Sequence, residues 1–213
     1  MEDKDASCAH VLDVLLLPSS AECGYRMGMA IKTGRWTRAD LSRLPDDGNR
    51  YEVLDGELFV TPQAASRHQY IAYELGSALG SYCRQHAIGW VAGSGAIIFE
   101  QENELQPDLQ VVPGAYPSPD NVEWTAFSRS LLVVEILSDS TARRDLGKKR
   151  DAYLRIGIPS YWVVDADERR VLTWTGSPAA ETPVVVTDVL RWQPRADLSP
   201  LEIPLDSIFP PLR

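Results

Sequence analysis

Three residues of this sequence have chemistry to account for: a glutamate inside an apolar strand, an aspartate opening a second strand, and a lysine facing into a helix packing stripe. Glu135 is the one break in the run SLLVVEIL, residues 130–137. Alternate residues of a strand share a face, so Val133, Glu135 and Leu137 point one way and Leu132, Val134 and Ile136 the other. A nearly continuous apolar run of this kind is buried on both faces. An unpaired ionised carboxylate there would cost several kcal/mol. Glu135 is therefore either half of a structural ion pair or a ligand to a cation. Asp108 follows Pro107 and opens Leu109-Gln110-Val111-Val112. A Pro-Asp pair alone commonly just begins a turn or a strand. Beside Glu135 it gains weight, because hard cations such as Mg²⁺ take one or two carboxylates, with waters and substrate phosphate completing the shell.

The lysine is selected by helical spacing. At about 100° per residue, Leu146, Tyr153 and Ile156 form one inward stripe, and Lys149 falls within it, whereas Lys148 and Arg155 fall on the opposite, solvated side. A lysine facing inward needs a carboxylate, a phosphate or a route to water. Next to Asp108 and Glu135 it would orient an attacking water and neutralise charge developing on a phosphate; the alternative is that it snorkels to the surface. Glu52 is either a third acidic ligand or an exposed strand residue. His68, three residues before Ile71, is either a packing residue of its helix or an accessory member of the site. Asp165 ends the run SYWVVD and reads as the cap of the following turn. The cysteines have no metal-ligand spacing, and the chain contains neither a Gly-rich phosphate loop nor a GxSxG elbow.

The elements that must position these residues are legible from turn residues and periodicity. A short helix capped by Thr37 and Asp40 ends at Pro45-Asp46-Asp47-Gly48. Tyr51–Leu54 and Glu57–Val60 flank Asp55-Gly56, a hairpin signal because both turn residues tolerate positive φ. From Ser66 to His86 the stripe Ile71, Leu75, Ala78, Leu79, Tyr82 predicts a helix. Strands are expected at Gly89–Ala92, Ala96–Glu100, Asp108–Val112 and Ser130–Leu137. A crossover helix from Ala142 to Ile156 ends at Gly157 and Pro159, and strands follow at Ser160–Asp165, Val171–Thr175, within Val184–Trp192 and at Leu201–Pro204. This order predicts a mixed sheet of the α/β or α+β type.

A length of 213 residues suits one domain over 29–213, preceded by a loosely attached extension over 1–28. Met27 and Met29 offer an alternative start. The longest apolar run near the start is Val14–Leu17, ended by Pro18, too short for a membrane span, and Glu2, Asp3 and Asp5 are wrong for a signal peptide. Three scattered cysteines without a CxxC pair point to free thiols and a cytoplasmic location. The net charge of −9 argues against a broad nucleic-acid surface. Residues 141–155 are the exception: six basic residues against two acidic ones make a local +4, either a solvated face or an approach for a phosphate backbone.

The stretches YEVLDGELFV (51–60), SRHQ (66–69), QPDLQVVP (106–113), LLVVEILSDSTARRDLGKKRDAY (131–153) and GIPSYWVVD (157–165) occur in the order found in the Uma-two family. The chain resembles that family, a branch of the PD-(D/E)XK nuclease superfamily, from about Trp36 to Phe209. The resemblance implies a restriction-endonuclease-like core with flanking helices and an added hairpin. Pro107-Asp108 corresponds to the superfamily's Pro-Asp and Glu135 to the acidic residue of its second half-motif. Leu137 stands where the lysine is expected, and the resemblance implies that the lysine has moved to the following helix, at Lys149. Glu52 corresponds to an acidic residue ahead of the DG turn. The expectation is a Mg²⁺- or Mn²⁺-dependent endonuclease. Asp108, Glu135 and a carbonyl near Ile136 would hold the metal, Lys149 would serve the nucleophile or transition state, and Glu52 would act as an acid or second-metal ligand. DNA is expected as substrate before RNA, and a homodimer because a double-strand cut needs two sites. Two other readings stand beside it: a non-catalytic binding or regulatory protein that keeps the fold, and a hydrolase of small phosphoesters.

Overall fold

A computed structural model describes residues 34–116, 129–138, 141–176 and 181–211. The expected extension over 1–28 and the alternative start lie outside them. The chain divides into Met1–Gly34 and Arg35–Arg213, and the elements below belong to the second unit. They run α1 (Arg38–Leu41), β1 (Arg50–Leu54), β2 (Glu57–Thr61), α2 (Ser66–His86), β3 (Gly89–Gly93), β4 (Ile97–Phe99), β5 (Asn103–Leu105), β6 (Leu109–Pro113) and β7 (Leu132–Ile136). Next come α3 (Ala142–Arg144), a π-helical turn (Asp145–Lys149), α4 (Arg150–Arg155), β8 (Ser160–Asp165), β9 (Arg170–Thr175), β10 (Val184–Val186), β11 (Val189–Trp192) and β12 (Leu201–Pro204).

This is the expected α+β architecture with a mixed sheet. Six strands lie in the order β10-β9-β8-β7-β6-β3. Within it β7 and β8 are parallel and the other neighbours antiparallel. Parallel neighbours need a crossover, and the segment α3–π turn–α4 supplies it. A second sheet, β2-β1-β5-β4, contains the Asp-Gly hairpin, whose turn residues have φ of 52° at Asp55 and 87° at Gly56, as a type I′ turn requires. β11 and β12 pair separately. At the start of β3 a side chain has no room: a Cβ on Gly89 would collide with the Val112 carbonyl.

Alternation along β7 sorts its residues between two cores. Leu132, Val134 and Ile136 pack with Ile71, Leu75 and Leu79 of α2 and with Leu190 and Trp192. Val133 packs on the other side with Leu54, Ile97, Tyr153, Tyr161 and Trp174. Glu135 shares the face of Val133, so it points toward the second sheet and the crossover. All five residues of β7 are buried, as its apolar run predicted.

The structure corrects the sequence reading in three places. The segment Asn103–Leu105 is a strand that periodicity did not mark, three residues being too few to show a period. The expected strand Ala96–Glu100 shortens to Ile97–Phe99, because Glu100 and Gln101 take left-handed φ of 49° and 62° and turn the chain. The crossover helix is interrupted by the π turn, so its inward stripe is Asp145, Lys149, Ala152 and Tyr153; Leu146 and Ile156 are only partly buried.

Candidate active site

The extended register of β6 and β7 brings the two predicted carboxylates together. Leu109 pairs with Val134; one step further, Asp108 stands opposite Glu135, and directly opposed side chains lie about 5 Å apart at Cβ. A second step sets Pro107 opposite Ile136. Proline has no N–H to give the Ile136 carbonyl, and Asp108 Oδ2 takes the Ile136 N–H at 2.8 Å. The Pro-Asp pair thus ends the ladder on that side and puts a carboxylate where the backbone would have continued.

Asp108 is held from both sides. Its Oδ2 also meets His68 Nε2 at 2.9 Å, and its Oδ1 accepts a hydrogen bond from Arg50 Nη1 at 2.9 Å. His68 comes from the first turn of α2 and, partly buried, lies against Asp108. Burial by itself would raise the Asp108 pKa. The His68 contact, the Arg50 charge and the Ile136 N–H outweigh it, and the carboxyl is held well below its ordinary range.

Behind Asp108 lies a closed ionic cluster. Lys149 Nζ is 2.6 Å from Glu52 Oε1, 2.9 Å from Glu135 Oε1 and 3.9 Å from Asp145 Oδ1. Tyr153 donates its hydroxyl hydrogen to Glu135 Oε1 at 3.0 Å. Arg144 reaches Glu52 at 3.5 Å and Asp145 at 3.4 Å. Glu52 also accepts the Gln106 N–H at 2.8 Å; it is fully buried, which removes the exposed-strand reading. Lys149 is likewise 0% exposed and does not snorkel.

Three carboxylates face two cations in this cluster, and the imbalance is borne by Glu135. Burial raises its pKa, Lys149 only partly opposes, and the charges of Asp145, Asp108 and Glu52 add to the rise, leaving it at about 8. Burial likewise raises Asp145 against Lys149 and Arg144. For Glu52 burial is outweighed by Lys149, Arg144 and Arg50, and the pKa is lowered. Burial would lower Lys149, but Glu135, Glu52 and Asp145 together raise it.

A folded-state pKa of about 8 against an ordinary 4.5 means that native Glu135 binds a proton which the unfolded chain has released. Its contribution to stability is present at low pH and is lost as pH rises from about 4.5 toward 8. Glu135→Gln removes the ionisation. In thermal melts without added metal it should therefore gain on wild type as pH rises through that window, by on the order of 2 kcal/mol at the alkaline end. A variant uniformly less stable across the window would mean that Glu135 is a fully paired anion.

Asp108, Arg50, His68 and Ile136 line an open pocket of about 760 Å³, with Thr61–Ala65, Ser138, Thr141 and the half-exposed Arg67 around it. Glu52, Glu135 and Lys149 do not line it. Among the described residues, no group of three or more His, Cys, Asp or Glu is arranged to hold a metal ion. The predicted donors are therefore a sparse set: two carboxylates and the Ile136 carbonyl. Sequence reasoning missed Arg50 and Asp145. Arg50 lies two before Glu52, hence on the same strand face, and Asp145 lies four before Lys149, the spacing of a helical ion pair.

The basic stretch is largely consumed within the protein. Lys148 pairs with Glu57, Arg150 with Asp151, and Arg155 with Asp55 and Glu100. Lys148 and Arg155 are exposed as predicted. Asp165 caps its turn, accepting the Glu168 N–H at 3.2 Å and pairing with Arg170. None of the described helices is long and apolar enough to cross a membrane.

Known proteins agree with this fold. A solved structure from Anabaena variabilis ATCC 29413, described as "a putative nuclease belonging to DUF820", superposes with a TM-score of 0.67 at 17% identity, covering 81% of this chain and 97% of its own. No curated protein matches the sequence. The Uma2 family model, described as "Putative restriction endonuclease", matches residues 38–205. That span takes in β1, the Pro-Asp pair, β7 and the whole crossover, and the chain belongs to the Uma2 family.

Proposed function

We propose that the chain is a Mg²⁺- or Mn²⁺-dependent nuclease that hydrolyses phosphodiester bonds in nucleic acid, DNA in preference to RNA. The observation that carries this is the placing of Asp108 opposite Glu135 across β6 and β7, with Asp108 lining an open pocket and Glu135 buried beside it. Their chemistry fits a hard cation. Glu135 Oε1 is taken by Lys149 and Tyr153, and Oε2 accepts no hydrogen bond from the described residues. The Pro107 break withholds a ladder donor from the Ile136 carbonyl. Two carboxylates with one carbonyl also match a cation that keeps several of its waters.

In this reading Asp108, Glu135 and the Ile136 carbonyl hold the metal. The bound ion supplies an activated water and neutralises charge on the phosphate. Asp108 is ionised throughout the working range. His68 and the Ile136 N–H fix its orientation, so that it is ready to ligate without rearrangement. Lys149 is enclosed and works through Glu135, holding it in place and favouring its ionised form; it is a positioning residue. Glu52 anchors Lys149 from the opposite side. A double-strand cut requires two such chains, and a homodimer in the cytoplasm belongs to this reading.

A second reading, hydrolysis of a small phosphodiester, is favoured by one observation: the acidic chain spends most of its basic crossover residues on internal ion pairs. One experiment separates the two. Plasmid, single-stranded DNA and bis(p-nitrophenyl) phosphate are incubated with the protein and Mg²⁺, Mn²⁺ or EDTA, at several salt concentrations. The nuclease reading expects metal-dependent cutting of DNA that falls with salt. Turnover of the small ester alone would establish the second reading. Inertness toward all three substrates, with no Mn²⁺ bound, would overturn both and leave a non-catalytic member of the fold.

A further inference from the structure

We propose that Arg50, rather than Lys149, is the cation that meets the substrate phosphate, and that it does so by exchanging Asp108 for a phosphate oxygen. This rests on the nuclease reading above and adds to it a phosphate-contacting residue.

A cation can neutralise a phosphate only if the phosphate can reach it. Lys149 is 0% exposed, is held by Glu52 and Glu135, and does not line the pocket. Arg50 does line it. Its side chain is 19% exposed, anchored at the floor by Nη1 on Asp108 Oδ1. Its Nε is buried and has no hydrogen-bond acceptor. A guanidinium carries five N–H donors in a planar fork suited to two phosphate oxygens at once. Arg50 therefore keeps donor capacity that Asp108 does not use, in a side chain that reaches the pocket beside the carboxylate where the metal is expected.

The other cation at the pocket is less suited. Arg67 is half exposed and tied to Asp167 at the rim. His68 contacts Asp108 through Oδ2, the oxygen that also accepts the Ile136 N–H. Among the described residues, Oδ1 is the oxygen held by Arg50 alone. In the metal-free protein Arg50 thus balances the charge of Asp108. A divalent cation held by Asp108 would repel the guanidinium, and Arg50 would then favour a ligand that carries negative charge of its own.

The two halves of the exchange have opposite signs in Arg50→Gln. Removing the competing cation should tighten Mn²⁺ binding, by about threefold or more, as read by calorimetry. Removing the phosphate contact should weaken binding of a single-stranded oligonucleotide, measured by fluorescence anisotropy in non-cleaving Ca²⁺, by about tenfold. The slope of log affinity against log salt should shrink by about 0.7. Arg50→Lys keeps the charge without the fork, so it should keep the slope and lose part of the affinity. A merely structural arginine would weaken both ligands together with thermal stability, and that result overturns the proposal. So does a variant that binds Mn²⁺ and oligonucleotide as wild type does, while leaving the nuclease reading intact. Wild-type protein that binds no Mn²⁺ would sink the nuclease reading itself, and the exchange with it.

Discussion

Asp108→Asn is expected to lower metal-dependent DNA cleavage by a factor on the order of 10³ while leaving the chain folded. The substitution preserves shape and changes only what the group offers. An amide oxygen can still accept the Ile136 N–H, which Asp108 Oδ2 takes at 2.8 Å. With the oxygen there, the amide nitrogen, a donor, faces Arg50; flipped, it faces both the Ile136 N–H and the His68 contact. Either way, one anionic oxygen is lost from a two-carboxylate donor set, and Glu135 is left to hold the ion with a neutral carbonyl. The lost partner should also cost about 1–3 kcal/mol of stability, a melting shift of several degrees at this size. The checks are plasmid nicking in Mn²⁺ and a thermal melt of the same preparation. Cutting within tenfold of wild type would remove Asp108 from the metal site. A chain that no longer melts cooperatively would show that the Asp108–Arg50 pair is a folding requirement first, and Asp108→Glu, which keeps the charge, would then carry the test.

How far the sequence foretold this site depends on whether the signal was local. Glu135 stood out because one strand period and its apolar neighbours define a buried environment without any tertiary knowledge. The Asp55-Gly56 turn and the stripe of α2 were legible for the same reason, and α2 appears over the predicted Ser66–His86. Lys149 was found by a helical period that the π turn breaks. It survived because it ends the π turn four residues before Tyr153 of α4, whereas Leu146, near the start of that turn, does not lie on the buried stripe. Asp145 was overlooked because the predicted stripe ran through Leu146, which the π turn moves off the buried face; its one local signal was the four-residue spacing to Lys149. Arg50 was beyond reach for a different reason. Its partner Asp108 is 58 residues away, and nothing in the local pattern of β1 distinguishes a guanidinium bound for a pocket from one bound for solvent. The basic crossover misled in the same way: its excess of charge is real in sequence, but the neutralising Glu57, Asp55 and Glu100 come from the second sheet.

Lys149→Met should be the most destabilising single substitution in the cluster, by about 3–5 kcal/mol. The lysine is the shared partner of Glu52, Glu135 and, at 3.9 Å, Asp145. Methionine replaces its stem with little change in volume, so the loss is almost wholly one of charge. What remains is three buried carboxylates with Arg144 as the one cation of the cluster, and they relieve their repulsion by taking up protons. At about 2–4 °C per kcal/mol for a domain of this size, the melting temperature at neutral pH should fall by about 10 °C. Because the cost is uncompensated anion, it should shrink as pH falls and the carboxylates protonate. It should also be partly recovered in the double variant Lys149→Met/Glu135→Gln, where one anion has been removed along with the cation. Recovery of at least about 1 kcal/mol beyond additivity is the signature of direct coupling. Additive losses would mean that Lys149 stabilises through Glu52 alone, and Glu135 would then have no lysine to keep it poised for a metal. Cleavage separates position from contact in the same variants. A lysine acting through Glu135 should change the Mn²⁺ concentration needed for cutting more than the rate at saturation, whereas a lysine touching the phosphate would lower the saturated rate itself.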